Sequence, residues 1–208
     1  MIGYKETIGN YEKTAKQYAQ AIEALAPVEA IRIFSSILPV KGRILDAGCA
    51  AGRDSALFAK KGLIVHGMDL SDGLIKIAKE KHPSLCFQLG DFRNMPYPAS
   101  FFDGIWSHAS LVHFDSIKEV RKALGEFFRV LKKGGFLFVR VKKQHSSKKT
   151  DSIKDKLSRK RRFFRYFTQE EISGLVLDAG FSLVSLSTEM DSANRSDVKW
   201  IELIARKK

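Results

Sequence analysis

The sequence predicts a single α/β domain built on a mainly parallel sheet, and three observations carry that prediction. Short apolar runs alternate with amphipathic helical runs along most of the chain, the pattern of strand–helix–strand units. The last two apolar runs, Phe181 to Ser187 and Val198 to Ala205, follow one another with no helix between them, which predicts an antiparallel edge hairpin. No Pro- or Ser-rich linker divides the 208 residues, a length that suits one well-buried domain.

Each element has a local reason. Helical spacing over Tyr11 to Leu25, broken by Pro27, and a second helical run from Val28 to Leu38 place two helices before the sheet, so 1–40 reads as a helical cap. Arg43 to Ala47 is the first strand, and Arg53 to Lys61 its helix, closed by Gly62. Leu63 to Met68 is a second strand; Ser71 caps a helix over Asp72 to Lys81, and Pro83 prevents its continuation. Leu85 to Leu89 and Gly104 to Ser107 are the third and fourth strands. Ser116 to Glu119 has the form of a capping box for a helix to Leu131, which Lys132-Lys133-Gly134-Gly135 should end with a glycine turn before a fifth strand, Phe136 to Val141. A second capping box, Thr168 to Glu171, opens a helix that stops at Gly180.

Composition narrows the function classes. With 44% hydrophobic and 11% aromatic residues the chain is globular, and no apolar run approaches the roughly 18–20 residues of a membrane span. Met1 to Asn10 lacks the apolar core of a signal peptide, so a cytoplasmic protein is expected. Cys49 and Cys86 are too few for a disulfide framework and read as reduced core residues; no spacing suits a metal site, and none is expected. Of the net charge of +13, the run from Val141 to Thr168 holds eleven Lys or Arg against Asp151 and Asp155, so 11 − 2 gives +9. That run reads either as a solvated surface segment or as an electrostatic footprint for RNA, an acidic substrate or a membrane surface.

The chemistry concentrates in Ile44-Leu45-Asp46-Ala47-Gly48-Cys49-Ala50-Ala51-Gly52-Arg53-Asp54. A strand ends in an acid, a small-residue turn follows, and a helix N-terminus offers its free N–H groups to a polar or anionic ligand. A dinucleotide fingerprint needs glycine at its first, third and sixth positions, where this chain has Gly48, Ala50 and Arg53, so the loop argues against NAD. Asp-x-Gly-x-small-x-Gly instead resembles the first motif of the class I S-adenosylmethionine-dependent methyltransferases. The segments "GMDLS", "GDFRNMPYPASFFDGIWS", "RVLKKGGFLFV", "RRFFRYFTQEEISGLVLDAGF" and "WIELIARKK" extend the likeness, which is to the small type 11 subfamily and covers nearly the whole chain. Ala50 stands where the family usually has glycine.

The resemblance implies a Rossmann-like fold of seven strands in the order 3-2-1-4-5-7-6, helices on both faces, and S-adenosylmethionine as cofactor. It assigns Asp69 to the ribose hydroxyls, Leu70 to the adenine face, Asp91 and Phe92 to the adenine edge, and Ser107 to the place where the methyl group is presented. Asp46 either orients the loop and faces the amino group of the methionine moiety or simply caps; Arg53 either pairs with its carboxylate or is a surface charge. Tyr11 and Tyr18, seven apart on one helical face, cover the ligand in relatives or are core aromatics. His108 and His113 are the candidate bases, with packing or substrate lining as the other reading. Ser107-His108-Ala109-Ser110 replaces the Asn/Asp-Pro-Pro-Tyr element of several amino-group enzymes.

The expected activity is therefore methyl transfer to an oxygen or nitrogen of a small molecule. An RNA methyltransferase using the basic run, and a non-catalytic cofactor-binding sensor or partner subunit, are the alternatives. Segment 142–167 is the insert on which the first two differ: its interleaved arginines and aromatics suit either nucleic-acid stacking or a substrate lid.

Overall fold

The protein is described by a computed structural model over residues 3–154, 160–190 and 198–208. The N-terminal helices are α1 (Tyr4–Lys13), α2 (Ala15–Ile22) and α3 (Val28–Ser36). They lead into β1 (Arg43–Ala47), α4 (Arg53–Lys60), β2 (Ile64–Asp69), α5 (Asp72–Lys81), β3 (Cys86–Leu89) and β4 (Phe102–His108). Then come α6 (Ile117–Val130), β5 (Leu131–Lys142), β6 (Thr150–Lys154), β7 (Arg161–Arg165), α7 (Gln169–Asp178), β8 (Phe181–Met190) and β9 (Lys199–Lys207).

The seven-stranded sheet runs β3-β2-β1-β4-β5-β9-β8, with β9 antiparallel to both β5 and β8. This is the expected order once β6 and β7, which form a separate antiparallel hairpin, are counted. Side-chain alternation sends successive residues to opposite faces. Leu45, Ala47, Ile105, Leu137 and Val139 pack with α6 and α7, whereas Ile44, Trp106 and Phe138 pack with Ile31 and Phe34 of α3 and Phe58 of α4. Chain direction across the sheet reverses between β1 and β4, and ligand crevices in open α/β sheets form at the carboxyl ends of strands at such a switch.

Four expectations need correction. The first helix starts at Tyr4 and breaks at Thr14, so the run from Tyr11 to Leu25 is not one helix. Leu131 is already extended and pairs with Phe102, so β5 begins five residues before Phe136; Lys132 to Gly135 bulge opposite Asp103, with Gly134 at φ 79°, so the expected glycine turn lies inside the strand. Cys86, on edge strand β3, is exposed, while Cys49 is buried. Segment 142–167 contains the hairpin β6–β7, a local pairing whose Arg-Phe alternation did not read as a strand. Ser71, Ser116 and Thr168 cap their helices as expected, each hydroxyl accepting an N–H from three residues on.

The cap is fastened at several points. Glu12 of α1 accepts from the Ser71 hydroxyl at 2.7 Å and the Gly73 N–H at 2.9 Å, so a carboxylate closes the positive end of α5. Strand β7 lies along α1: Phe163 N–H donates to Thr7 Oγ1 at 2.9 Å, and Asn10 Nδ2 donates to the Arg161 carbonyl at 2.7 Å. Arg165, buried, donates to the Phe114 and Asp115 carbonyls.

Candidate active site

The cap and the strand ends enclose a cavity of about 320 Å³. Tyr11, Asp46, Gly48, Arg53, Asp69, Leu70, Phe92, His108 and His113 all line it, so nine of the sequence candidates converge. Gly52, Asp91 and Ser107 are not among its lining residues.

The loop between β1 and α4 is packed closely on its neighbours. Gly48, Ala50 and Gly52 have φ of 86°, 48° and 82°, the left-handed region. A Cβ on Gly48 would stand 2.5 Å from Ser110 Cβ, and one on Gly52 2.7 Å from Phe87 Cζ. These glycines therefore serve close packing of the loop on its supports, and Gly52 does so without facing the cavity.

Asp69 closes the loop. Its Oδ2 accepts the Ala50 N–H and its Oδ1 the Ser71 N–H, both at 2.9 Å. Burial raises its pKa, and the backbone bonds from Ser71 and Ala50 oppose that rise. A carboxylate offers about four acceptor positions, so the backbone bonds leave capacity for a diol on the cavity side. Leu70 and Phe92 supply apolar surface beside it.

Asp91 stands apart, because Arg93 two residues on folds back and grips it with Nε and Nη2 while also pairing with Glu119. Burial would raise the Asp91 pKa, but the Arg93 fork outweighs burial and holds it low. Asp91, expected at the adenine edge, is thus engaged by an internal ion pair and does not line the cavity. Ser107 is buried, its hydroxyl 2.8 Å from that of Ser110, where it braces the loop beneath Gly48.

Below the loop lies a buried polar cluster. Asp54 receives Arg53 Nε at 2.7 Å and Trp106 Nε1 at 3.0 Å, and Arg53 also donates to the Ile22 carbonyl, tying α4 to the cap. Asp46 accepts from the Ser55 hydroxyl at 2.6 Å. Burial first, and the nearby Asp54 charge second, push Asp46 up to about 8. The native state thus keeps a proton that the unfolded chain sheds near pH 4, so stability falls as pH rises from about 4 toward 8. Asp46→Asn, neutral at every pH, is expected to gain progressively on the parent as pH rises across that window. Urea unfolding of both proteins at pH 4.5, 6 and 8 checks this; a difference independent of pH would mean that Asp46 is ionised in the fold.

Neither histidine offers a nitrogen to an acceptor. His113 Nδ1 lies 2.8 Å from the Phe163 carbonyl, which can only accept, so Nδ1 carries the proton and Nε2 accepts from the Tyr11 hydroxyl at 3.1 Å. Burial pushes its pKa down to about 4, against the pull of the Phe163 carbonyl. His108 stacks on Trp106, with Nδ1 3.5 Å from Asp54 and Nε2 3.4 Å from Arg140 Nη1; burial lowers it to about 4 as well. The direct-base reading of either residue is corrected accordingly.

Arg140 and Trp200, which the sequence reading did not single out, join the wall with Lys142, Arg162 and Phe164, which belong to the basic run and its interleaved arginines and aromatics. Arg140 and Lys142 did leave a signal, since charges at alternate positions near the end of an apolar strand point to one buried face. Arg162 Nη1 donates to the Tyr11 hydroxyl at 3.1 Å, and its guanidinium lies over the rings of Tyr11 and Tyr18. Phe163, Tyr166 and Phe167 are buried. The aromatics of the basic run thus pack into the fold, and Arg161, Arg162 and Arg165 are bonded to Ser152, Tyr11 and Asp115 respectively; Asp155, Lys156 and Arg159 lie outside the described residues.

A carboxylate for a diol, apolar faces for a planar ring, a backbone loop and a neighbouring acid fit an S-adenosyl ligand. Comparison with known proteins points the same way. Residues 45–139 match the profile of the "Methyltransferase domain" family. The malonyl-[acyl-carrier protein] O-methyltransferase of Salmonella typhimurium is 30% identical over 125 residues, 60% of this chain and 46% of that protein. The tRNA (carboxymethyluridine(34)-5-O)-methyltransferase of Arabidopsis thaliana is 36% identical over 111 residues, 53% of this chain and 26% of that one. The chain thus spans less than half the length of these curated relatives. A SAM-dependent methyltransferase structure from Methanosarcina mazei shares the fold at a TM-score of 0.77 and 22% identity, covering 84% of this chain and 96% of its own. The domain match over residues 45–139, joined to the sheet order, the glycine loop and the placement of Asp69, supports a class I S-adenosylmethionine-dependent methyltransferase.

Proposed function

We propose that this protein transfers the methyl group of S-adenosylmethionine to an oxygen or nitrogen of a small molecule. The observation that carries the proposal is the lid: α1, α2 and β7 close over the loop and Asp69, so the reacting centre is enclosed by Tyr11, Arg162 and Phe164. A sulfonium donor is already activated, so the residues need chiefly to align an acceptor with the methyl group and exclude water. Tyr11, Phe164 and Trp200 do the excluding, while Asp46, Asp69 and the loop hold the donor. Both relatives described above are named for O-methylation, which puts oxygen first.

A small acceptor suits this cavity better than RNA does, because the aromatics that would stack on bases are packed inside. No helix among the described residues is long and apolar enough to cross a membrane, and a cytoplasmic location goes with this proposal. Isothermal titration tests the donor assignment: S-adenosylhomocysteine should bind measurably and NAD should not. Tight NAD binding with no heat from S-adenosylhomocysteine would reverse the assignment.

A further inference from the structure

We propose that α1 is a lid whose closure is coupled to donor binding by Glu12, which holds the same residue, Ser71, as the ribose acid Asp69. The inference rests on the methyltransferase reading above and adds how that site is regulated.

The first ground is a chain of hydrogen bonds running from the cavity to the lid. Asp69 lines the cavity, and its Oδ1 accepts the Ser71 N–H at 2.9 Å. The Ser71 hydroxyl in turn donates to Glu12 Oε2 at 2.7 Å. Glu12 also accepts the Gly73 N–H, with each oxygen at 2.9 Å, so a carboxylate carried by α1 sits at the positive end of α5. Tyr11, the preceding residue of α1, reaches the opposite wall, where its hydroxyl donates to His113 Nε2. The last turn of α1 therefore spans the crevice from α5 to Leu111–His113.

The second ground is Gly73, the second residue of α5. Glycine is a poorer helix former than alanine, and backbone freedom does not account for this one, since its φ is not positive. Space does. A Cβ at Gly73 would stand 2.9 Å from Glu12 Oε1 and 3.3 Å from Ala15 Cβ. The missing side chain is what lets α1 and the start of α2 close on α5.

Coupling follows because Ser71 is shared. When Glu12 holds the hydroxyl, Asp69 finds the Ser71 N–H already in place, and a diol held by Asp69 fixes the residue that Glu12 must grip, so the ordering cost is met once. Ser71 is itself buried, at 1% exposure, and solvent is a poor substitute for either partner. Such coupling is reciprocal: what closure adds to donor affinity, donor binding adds to closure.

The test uses the intact protein, hydrogen–deuterium exchange with and without S-adenosylhomocysteine, and titration calorimetry with the same ligand. In the parent the ligand should slow exchange of the α1 amides. Glu12→Ala should remove most of that protection and weaken binding roughly five- to twentyfold. Gly73→Ala should do the same by pushing the Glu12 carboxylate aside, while exchange along α5 is no faster than in the parent, because alanine favours the helix. Binding by the parent without protection of α1 overturns the proposal, as does parent-like affinity in either variant. Faster exchange along α5 in Glu12→Ala, with the protection of α1 intact, would reduce Glu12 to a cap of that helix and overturn it too. A parent that fails to bind S-adenosylhomocysteine overturns the methyltransferase reading instead.

Discussion

Asp69→Ala is expected to bind S-adenosylhomocysteine roughly ten- to a hundredfold more weakly, the equivalent of charge-assisted hydrogen bonds totalling about 1.5–3 kcal/mol. Two consequences of the substitution act together. The carboxylate edge facing the cavity disappears, and the N–H groups of Ala50 and Ser71 lose the oxygens that fix the loop to the start of α5. Asp69→Asn separates them: its amide nitrogen would meet one of two backbone donors, so one side of the fastening fails even though size is kept. Both variants should remain folded, because the apolar core beneath β2 is untouched. Titration calorimetry with a circular dichroism check measures this, and an unchanged dissociation constant in folded Asp69→Ala would place the ligand elsewhere.

Gly48→Ala should act on stability. At φ of 86° an L side chain is strained by about 1–2 kcal/mol, and a Cβ 2.5 Å from Ser110 Cβ adds an overpacking cost of about 1–3 kcal/mol. The sum, about 3 kcal/mol, corresponds to a fall in Tm of about 6–12 °C for a domain of this size. Ala50, at φ of 48°, shows that the loop tolerates a methyl group where the backbone is left-handed but nothing crowds it. Gly48 differs because Ser110 occupies the place of its side chain. A Tm within 2 °C of the parent would mean that Ser110, braced by Ser107, moves aside freely.

Much of this was legible beforehand for local reasons. Ser71, Ser116 and Thr168 announce helix starts because a hydroxyl reaching the N–H three residues on is settled within one turn. β1 was read at its observed bounds because the apolar pair Ile44-Leu45 of a buried central strand is followed at once by the acid and small-residue turn that end it. The order of the seven strands followed from the family likeness. The misreadings share the opposite cause. That β5 already begins at Leu131 depends on its pairing with Phe102 of β4, far away in sequence, and Arg161 to Arg165 becomes a strand only because 150–154 pairs with it and α1 receives it.

The same division runs through the site. The sequence by itself determined the α/β class, the β1–α4 loop and the acid at the end of β2, because strand periodicity, turn chemistry and the spacing between those points are properties of contiguous residues. Only the tertiary structure decided that Arg93 takes Asp91 away from the cavity, that His113 is occupied by Tyr11 and Phe163, and that Lys142 and Arg140 share an aromatic-walled end with Phe164 and Trp200. The physical reason is that most of these are pairings between residues far apart in the chain. Hydrogen bonds and charge contacts act over a few ångströms, and which groups come that close is fixed by the packing of the lid and sheet rather than by neighbours in sequence.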